Sequence, residues 1–218
     1  YGFDNPFTSS EGWVARYGTQ SVSQFKSAQM IADKWEISRE EMEAFSLESH
    51  RRARAATDAG YFEREIMPFE GLSADETIRN TSMEAMAGLE PLAQGGTITA
   101  AVSSQTCDGS SAVLVVSEEA LKRYNLTPRA RIVHMSVRAA DPIWMLTAPI
   151  PATEHAMKKS GMKLQDIDLV EINEAFAVVA LYAIKELGLD PDTVNVKGGG
   201  IAIGHPLGST GGRLVGTL

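Results

Sequence analysis

Asn173 and Glu174 close the apolar run DIDLVEIN, and His205 stands inside NVKGGGIAIGHPLGSTGGR, a stretch that carries seven glycines between Val194 and Arg213. If the two runs end side by side, an amide and an imidazole converge on one spot. That pairing suits the stabilisation of a developing oxyanion, directly or through a held water, and removing one such donor typically costs about 10² to 10³ in turnover. Glycine loses more backbone entropy than any other residue on ordering, so a glycine cluster is explained by φ > 0 geometry or by close approach of another group to the backbone. A tight structural turn with an incidental histidine is the alternative reading of the same residues.

Other chemistry fits less well. Gly198, Gly200 and Gly204 have the wrong spacing for a dinucleotide fingerprint, His205-Pro206 interrupts the turn into a helix, and no Gly-Lys-Ser/Thr follows that would make a phosphate loop. Cys107, the single thiol, lies ahead of a helix expected from near Asp108 and is a candidate nucleophile, because thiolates react strongly when a base or helix N-terminus lowers their pKa. A lone cysteine is also commonly a small buried residue. His50, next to Arg51, Arg52 and Arg54, reads as solvated surface, and His134 and His155 read as structural. None has a carboxylate or cysteine at metal-ligand spacing, so no metal site is expected.

The elements that must position these groups alternate. FKSAQMIADKW is helical, Ser38 and Glu41 form a capping-box signature ahead of MEAFSLESHRRARAA, and Gly60 is the expected stop. Phe62 to Leu92 reads as an excursion away from the core, with a short extended piece at EIMPF. TITAAVSS alternates like a strand, AVLVV follows, and Ser117 caps a helix with acids in its first turn. ARIVHMSV, DIDLVEIN and TVNV are further strands, separated by the helices ATEHAMKKSG and EAFAVVALYAIKELG, the latter apolar nearly all round and therefore buried. The pattern predicts an α/β fold with an at least partly parallel sheet.

Composition bounds the function. With 218 residues, 44% hydrophobic and 22% charged, the chain can bury a sizeable core. A net charge of −8 argues against a nucleic-acid partner. No run of 18 apolar residues predicts a membrane span, and one cysteine fits a reducing cytoplasm. YGFDNPFTSSEGW lacks the features of a signal peptide and does not begin with Met, and the helical pattern at GSTGGRLVGTL has only begun when Leu218 is reached. The expectation is a piece of a longer polypeptide, truncated at both ends.

Together, VEINEAFA, NVKGGGIAIGHPLGSTGG, APIPAT ahead of a helix, and TAAVSSQTCDGSSAVLVVSEEAL resemble the thiolase family, in order from about Phe25 to Leu218. The resemblance implies a fold of two similar βαβαβαββ halves with a mostly helical loop domain inserted in the first. On that basis residues 1–95 are part of the loop domain, 96–124 the end of the N-terminal thiolase domain, and 125–218 the C-terminal thiolase domain. His205 matches the histidine that activates the nucleophilic cysteine and lines an oxyanion hole, and Asn173 the asparagine that holds a water there. Ser104 matches a serine on the pantetheine of coenzyme A, with Ala100 close by and Ala175 and Phe176 lining the same tunnel. Arg79 resembles a loop-domain arginine near the nucleotide end, with local spacing one residue short.

The implied activity is thiolytic cleavage of 3-ketoacyl-CoA, or the reverse Claisen condensation, with coenzyme A as co-substrate and no permanently bound cofactor. The family's acylated cysteine would lie upstream of Tyr1 and its second cysteine beyond Leu218, so the chain alone is expected to be inactive. Cys107 falls where many members have Asn and is assigned neither role. SQFK at Ser23 to Lys26 replaces a His-Met-Gly stretch common in small-substrate members, which leans towards bulkier acyl chains, steroid or fatty-acid derived. The resemblance also implies a homodimer or homotetramer. A non-catalytic acyl-CoA-binding or scaffold module of the same fold is the second reading. A decarboxylating condensing enzyme is the third, disfavoured by NEAF where that group tends to carry a second histidine.

Overall fold

The computed structural model describes residue 7, residues 9–20 and residues 22–218; residues 1–6, on which the reading of the start partly rests, lie outside it. Among the described residues the helices are α1 Glu11–Tyr17, α2 Gln24–Lys34, α3 Arg39–Asp58, α4 Met83–Ala87, α5 Glu118–Arg123, α6 Pro149–Ser160, α7 Ala177–Leu187, α8 Gly200–Ile203 and α9 Leu207–Thr217.

The expected caps form. Ser38 Oγ accepts from the Glu41 amide at 3.1 Å while Glu41 Oε2 accepts from the Ser38 amide at 2.7 Å, which satisfies two donors that the first turn of α3 would otherwise leave free. Ser117 caps α5 above Glu118 and Glu119. Proline opens α6, where its missing amide costs nothing.

The core is built by helices. Met42, Ser46, Ser49, Ala53 and Ala56 make one buried stripe on α3, spaced by alternating steps of three and four residues, and their small side chains let α7 and α8 approach closely. Apolar α7 buries Ala177, Val178, Val179, Ala180, Tyr182 and Ala183 between α2, α3 and α6. Ile31, Met42, Val102, Phe176 and Ile201 join it in one cluster. Phe62, Ile78 and Met86 are also buried, so the stretch from Phe62 to Leu92 contributes to the interior and is not an excursion from it.

Among the described residues the sheet expectation is met only at isolated pairings, one of them the antiparallel bridge of Thr99, inside TITAAVSS, to Pro91. Val170 and Val194 pair in parallel, with the Val170 amide donating to the Thr193 carbonyl at 3.0 Å and the Asn195 amide to the Val170 carbonyl at 2.9 Å. Ser103 pairs antiparallel with Phe176, directly after a 3-10 turn at Ala100–Val102 inside the expected strand TITAAVSS. EIMPF forms no strand; Phe69 only bridges to Leu72. AVLVV and ARIVHMSV form none either, and Leu114 and Val137 are 79% and 89% exposed. The physical reason is that β-branched residues supply a preference for the pleat, whereas a strand exists only when its amides meet a neighbour's carbonyls. No described residue offers that neighbour.

In hydrogen exchange followed by mass spectrometry, amides of 112–116 and 131–137 are expected to exchange without measurable protection while those of α7 stay protected. Protection of either stretch comparable to that of α7 would contradict the unpaired backbone.

Candidate active site

The parallel pairing at Val170 delivers Asn173 to the end of a short strand-like segment, and a side chain completes the ladder there. Asn195 Oδ1 accepts from the Ile172 amide and Asn195 Nδ2 donates to the Ile172 carbonyl, both at 2.8 Å, so this side chain stands in for the next backbone unit. Its own backbone is left-handed, φ 48°, a conformation that asparagine tolerates better than most residues.

His205 sits on the turn between α8 and α9. Its amide donates to the Gln105 carbonyl at 3.1 Å. The preceding Gly204 has φ +84° and packs on Cys107 Sγ, which a Cβ at Gly204 would overlap. Gln105 is fixed in turn by Nε2 bonds to the carbonyls of Thr77, 2.7 Å, and Ile201, 2.9 Å.

The imidazole bridges two partners. Nε2 lies 3.2 Å from Asn173 Nδ2, and Nδ1 lies 2.7 Å from Thr210 Oγ1. The Thr210 hydroxyl spends its single proton on the Pro206 carbonyl, 3.0 Å away, so its oxygen accepts from Nδ1–H. That assigns the neutral tautomer with a lone pair on Nε2, which accepts from the Asn173 amide. Burial, followed by the charge of Arg213, holds the His205 pKa below its ordinary 6.5, which favours the neutral form at pH 7. Asn173 Oδ1 is buried and has no hydrogen-bond partner in the protein. The result is an unprotonated ring nitrogen beside an amide with a free acceptor, an arrangement that can take a proton and orient a polar group.

The remaining sequence candidates divide. The Ser104 amide donates to the Ala175 carbonyl at 3.0 Å, and Ser103 pairs with Phe176, so Ser104, Ala175 and Phe176 form one wall. Phe25, from the SQFK stretch, meets Phe176 edge-on with ring centroids 5.6 Å apart. Ala100 is exposed in the adjoining 3-10 turn. Arg79 Nε donates to Gln105 Oε1 at 2.9 Å, which ties Arg79 to the loop that holds His205.

His50 is not solvated surface. It is buried, and its Nδ1 accepts from the Arg79 amide at 3.1 Å, because α3 turns that face inward against the Ile78–Arg79 segment. Burial, then the charges of Arg79 and Arg54, lowers its pKa. Cys107 is not an activated thiol: burial chiefly, with Asp75 and Asp108 adding, pushes its pKa up against the opposing His205 amide. Among the described residues no three His, Cys, Asp or Glu side chains converge as metal ligands, and no helix is long and apolar enough to cross a membrane.

Sequence reasoning missed Thr210, Gln105 and Asn195. Thr210 lies five residues after His205, a spacing that becomes a contact only through the turn into α9. It also missed the charged group behind the site, where Glu171 stands 3.6 Å from Arg213. Burial, countered by Arg213 and reinforced by Glu174, pushes the Glu171 carboxyl up to about 7.

Comparison with known proteins places the chain in a family. Residues 19–119 match the N-terminal domain of thiolase and residues 126–218 its C-terminal domain. The chain belongs to the thiolase family. It is 54% identical to the steroid 3-ketoacyl-CoA thiolase FadA6 of Mycobacterium tuberculosis, over 100% of this chain and 54% of that protein. It is 44% identical to a 3-ketoacyl-CoA thiolase of Aliivibrio fischeri, over 88% of this chain and 54% of the relative. The chain thus spans about half the length of the curated relatives it matches. Among solved structures, Bacillus anthracis acetyl-CoA acetyltransferase superposes with a TM-score of 0.86 at 38% identity, over 91% of this chain and 53% of that one. Human mitochondrial 3-ketoacyl-CoA thiolase in complex with CoA gives 0.83 at 43% identity, over 88% and 50%. The fold is therefore thiolase-like, although the regular elements among the described residues are helices.

Two outcomes follow from the electrostatics. In Thr210→Val the Nδ1 acceptor is gone, and nitrogen NMR of His205 should show the neutral ring shifting towards the Nε2–H tautomer; an unchanged tautomer would refute the assignment. Because the Glu171 carboxyl binds its proton more tightly when folded, about 7 against 4.5, the folded state carries more protons between those values and loses stability as pH rises through them. Glu171→Gln lacks that loss, so it should gain about 3 kcal/mol relative to the parent between pH 4.5 and 7. Denaturant midpoints across that range check it, a flat difference being the contrary result.

Proposed function

We propose that the chain supplies the base and the oxyanion-stabilising side of a coenzyme A-dependent acyl-transfer site, which cleaves 3-ketoacyl-CoA by thiolysis or runs the reverse Claisen condensation through an acyl-cysteine. The observation that carries this is the pair His205 and Asn173, with the Nε2 lone pair 3.2 Å from the Asn173 amide and Asn173 Oδ1 free to accept. In this reading Nε2 takes the proton of an attacking cysteine thiol, and Asn173 holds a water against the developing oxyanion.

Ser104, Ala175 and Phe176, with Ala100 at the rim, form the pantetheine wall. The relative of human mitochondria whose structure holds CoA supports coenzyme A as the co-substrate. Arg79 lies towards the nucleotide end in this reading, although its bond to Gln105 ties it to the catalytic side as well. Phe25 at the edge of Phe176, together with 54% identity to a thiolase described as acting on steroids, favours bulky acyl chains over acetoacetyl groups. The division at 95 and 124, assembly as a homodimer or homotetramer, and residence in the reducing cytoplasm rest on the resemblance to the family and on the single thiol.

The nucleophile is not Cys107, whose thiol is pushed the wrong way for attack. That same observation favours one second reading, a non-catalytic acyl-CoA-binding module. The two separate in a paired measurement on the 218-residue chain. Calorimetric titration with coenzyme A is expected to show saturable binding that weakens in Phe176→Ala. A thiolysis assay following loss of a 3-ketoacyl-CoA is expected to show no turnover by the chain alone, and turnover dependent on His205 once a thiolase segment bearing the nucleophilic cysteine is supplied. Turnover by the chain alone would overturn the external nucleophile, absence of coenzyme A binding would overturn the site, and failure of the added segment to restore turnover would favour the binding module.

A further inference from the structure

Glu174 is entirely buried, yet no cation among the described residues forms an ion pair with it. Its carboxylate is held by three donors from three parts of the chain. Oε2 accepts from Ser49 Oγ of α3 at 2.7 Å and from the Ile201 amide in α8 at 3.1 Å, while Oε1 accepts from Asn195 Nδ2 at 2.8 Å. Ser49 Oγ in turn accepts from the Gly199 amide at 3.0 Å. A Cβ at Gly199 would overlap this carboxylate, so glycine at that position is required by the closeness of the carboxylate and not by a turn. Burial pushes the Glu174 carboxyl up, against the pull of Ser49, Asn195 and Ile201 and, last, the charge of Arg213. Three donors thus converge on its two oxygens.

The chain positions of these groups give the network a direction. Glu174 follows Asn173 immediately, and Asn195, Gly199 and Ile201 lead into Gly204 and His205. Besides the Val170–Val194 pairing, the Asn195 side chain and the Asn173–His205 contact itself, the carboxyl group is the link that also ties both segments to α3. We infer that Glu174 is a positioning residue, which fastens the glycine-rich segment and the Asn173 strand end to α3 at one point and thereby sets the contact between Asn173 and His205. The inference rests on reading that pair as the acyl-transfer site, but it concerns geometry present without any ligand.

The test uses the 218-residue chain free of coenzyme A, so its outcome is independent of coenzyme A binding. Glu174→Gln keeps the shape but replaces one acceptor oxygen with a donor, which cannot serve Ser49 and Ile201 as before. The expected result is a chain with unchanged far-ultraviolet dichroism whose His205 titrates closer to the ordinary 6.5 and whose cross-relaxation between the Asn173 side-chain amide and the His205 ring is lost. A rise in the His205 pKa together with loss of that cross-relaxation is the signature of lost positioning. A merely structural residue would lower the melting temperature and leave the His205 signals in place, and that outcome would overturn the inference. If Glu174→Gln does not fold, Ser49→Ala, which removes one donor, decides: a smaller upward shift supports the inference, and an unmoved His205 overturns it.

Discussion

A carboxyl group buried with no ion-pair partner among the described residues is the constraint on which the rest of this structure depends. Moving a carboxylate into a protein interior costs several kcal/mol unless donors replace its hydration, and a core of Ala, Val, Ile and Met offers none from its side chains. Glu174 is tolerated because Ser49, Asn195 and the Ile201 amide arrive together. Each arrival has its own requirement. Ser49 needs the small-residue face of α3, Asn195 needs its left-handed backbone, and the Ile201 amide is available because the first turn of α8 leaves it without a helical acceptor. The helix packing, the asparagine conformation and the glycine-rich segment are therefore one solution to one solvation problem.

That solution also separates two jobs between adjacent residues. Asn173 turns its amide to His205, while Glu174 turns its carboxylate to α3 and the interior. Side chains of consecutive residues in an extended segment point to opposite sides, so Asn173 and Glu174 can face different partners without competing for space. The imidazole has a matching support on its far side, where Thr210 fixes the tautomer and the Gln105 carbonyl fixes the backbone. Nε2 is thus aimed by interactions that do not themselves touch the place where a substrate would react, as outer hydrogen bonds aim metal-bound histidines.

What the residues alone revealed follows from how local each signal is. The capping box of α3, the acid-rich start of α5, the proline at the start of α6 and the apolar α7 are written within a few positions, and all of them form. The convergence of Asn173 and His205 was legible because both lie just beyond short apolar runs that the structure joins at Val170 and Val194. His50 was misread because a flanking arginine run resembles a wet face, whereas the side of α3 that it occupies is closed by a segment almost thirty residues away. The β-branched runs at 112–116 and 131–137 were misread for the opposite reason: their local preference is correct, but pairing is a property of two segments, and only one is present among the described residues.

The absence of a formed sheet does not leave the site unsupported. Asn173, Glu174 and His205 hang on α3, on α8 and on single pairings at Val170 and Ser103, and α2 and α7 bury the apolar side of the same segment. Helices satisfy their own backbone groups and can build a core wherever their apolar faces meet, whereas the exposed Val113–Val116 and Ile132–Val137 runs need carbonyls and amides from elsewhere. Asn173, Glu174 and His205 therefore belong to the part of the chain whose order is internal.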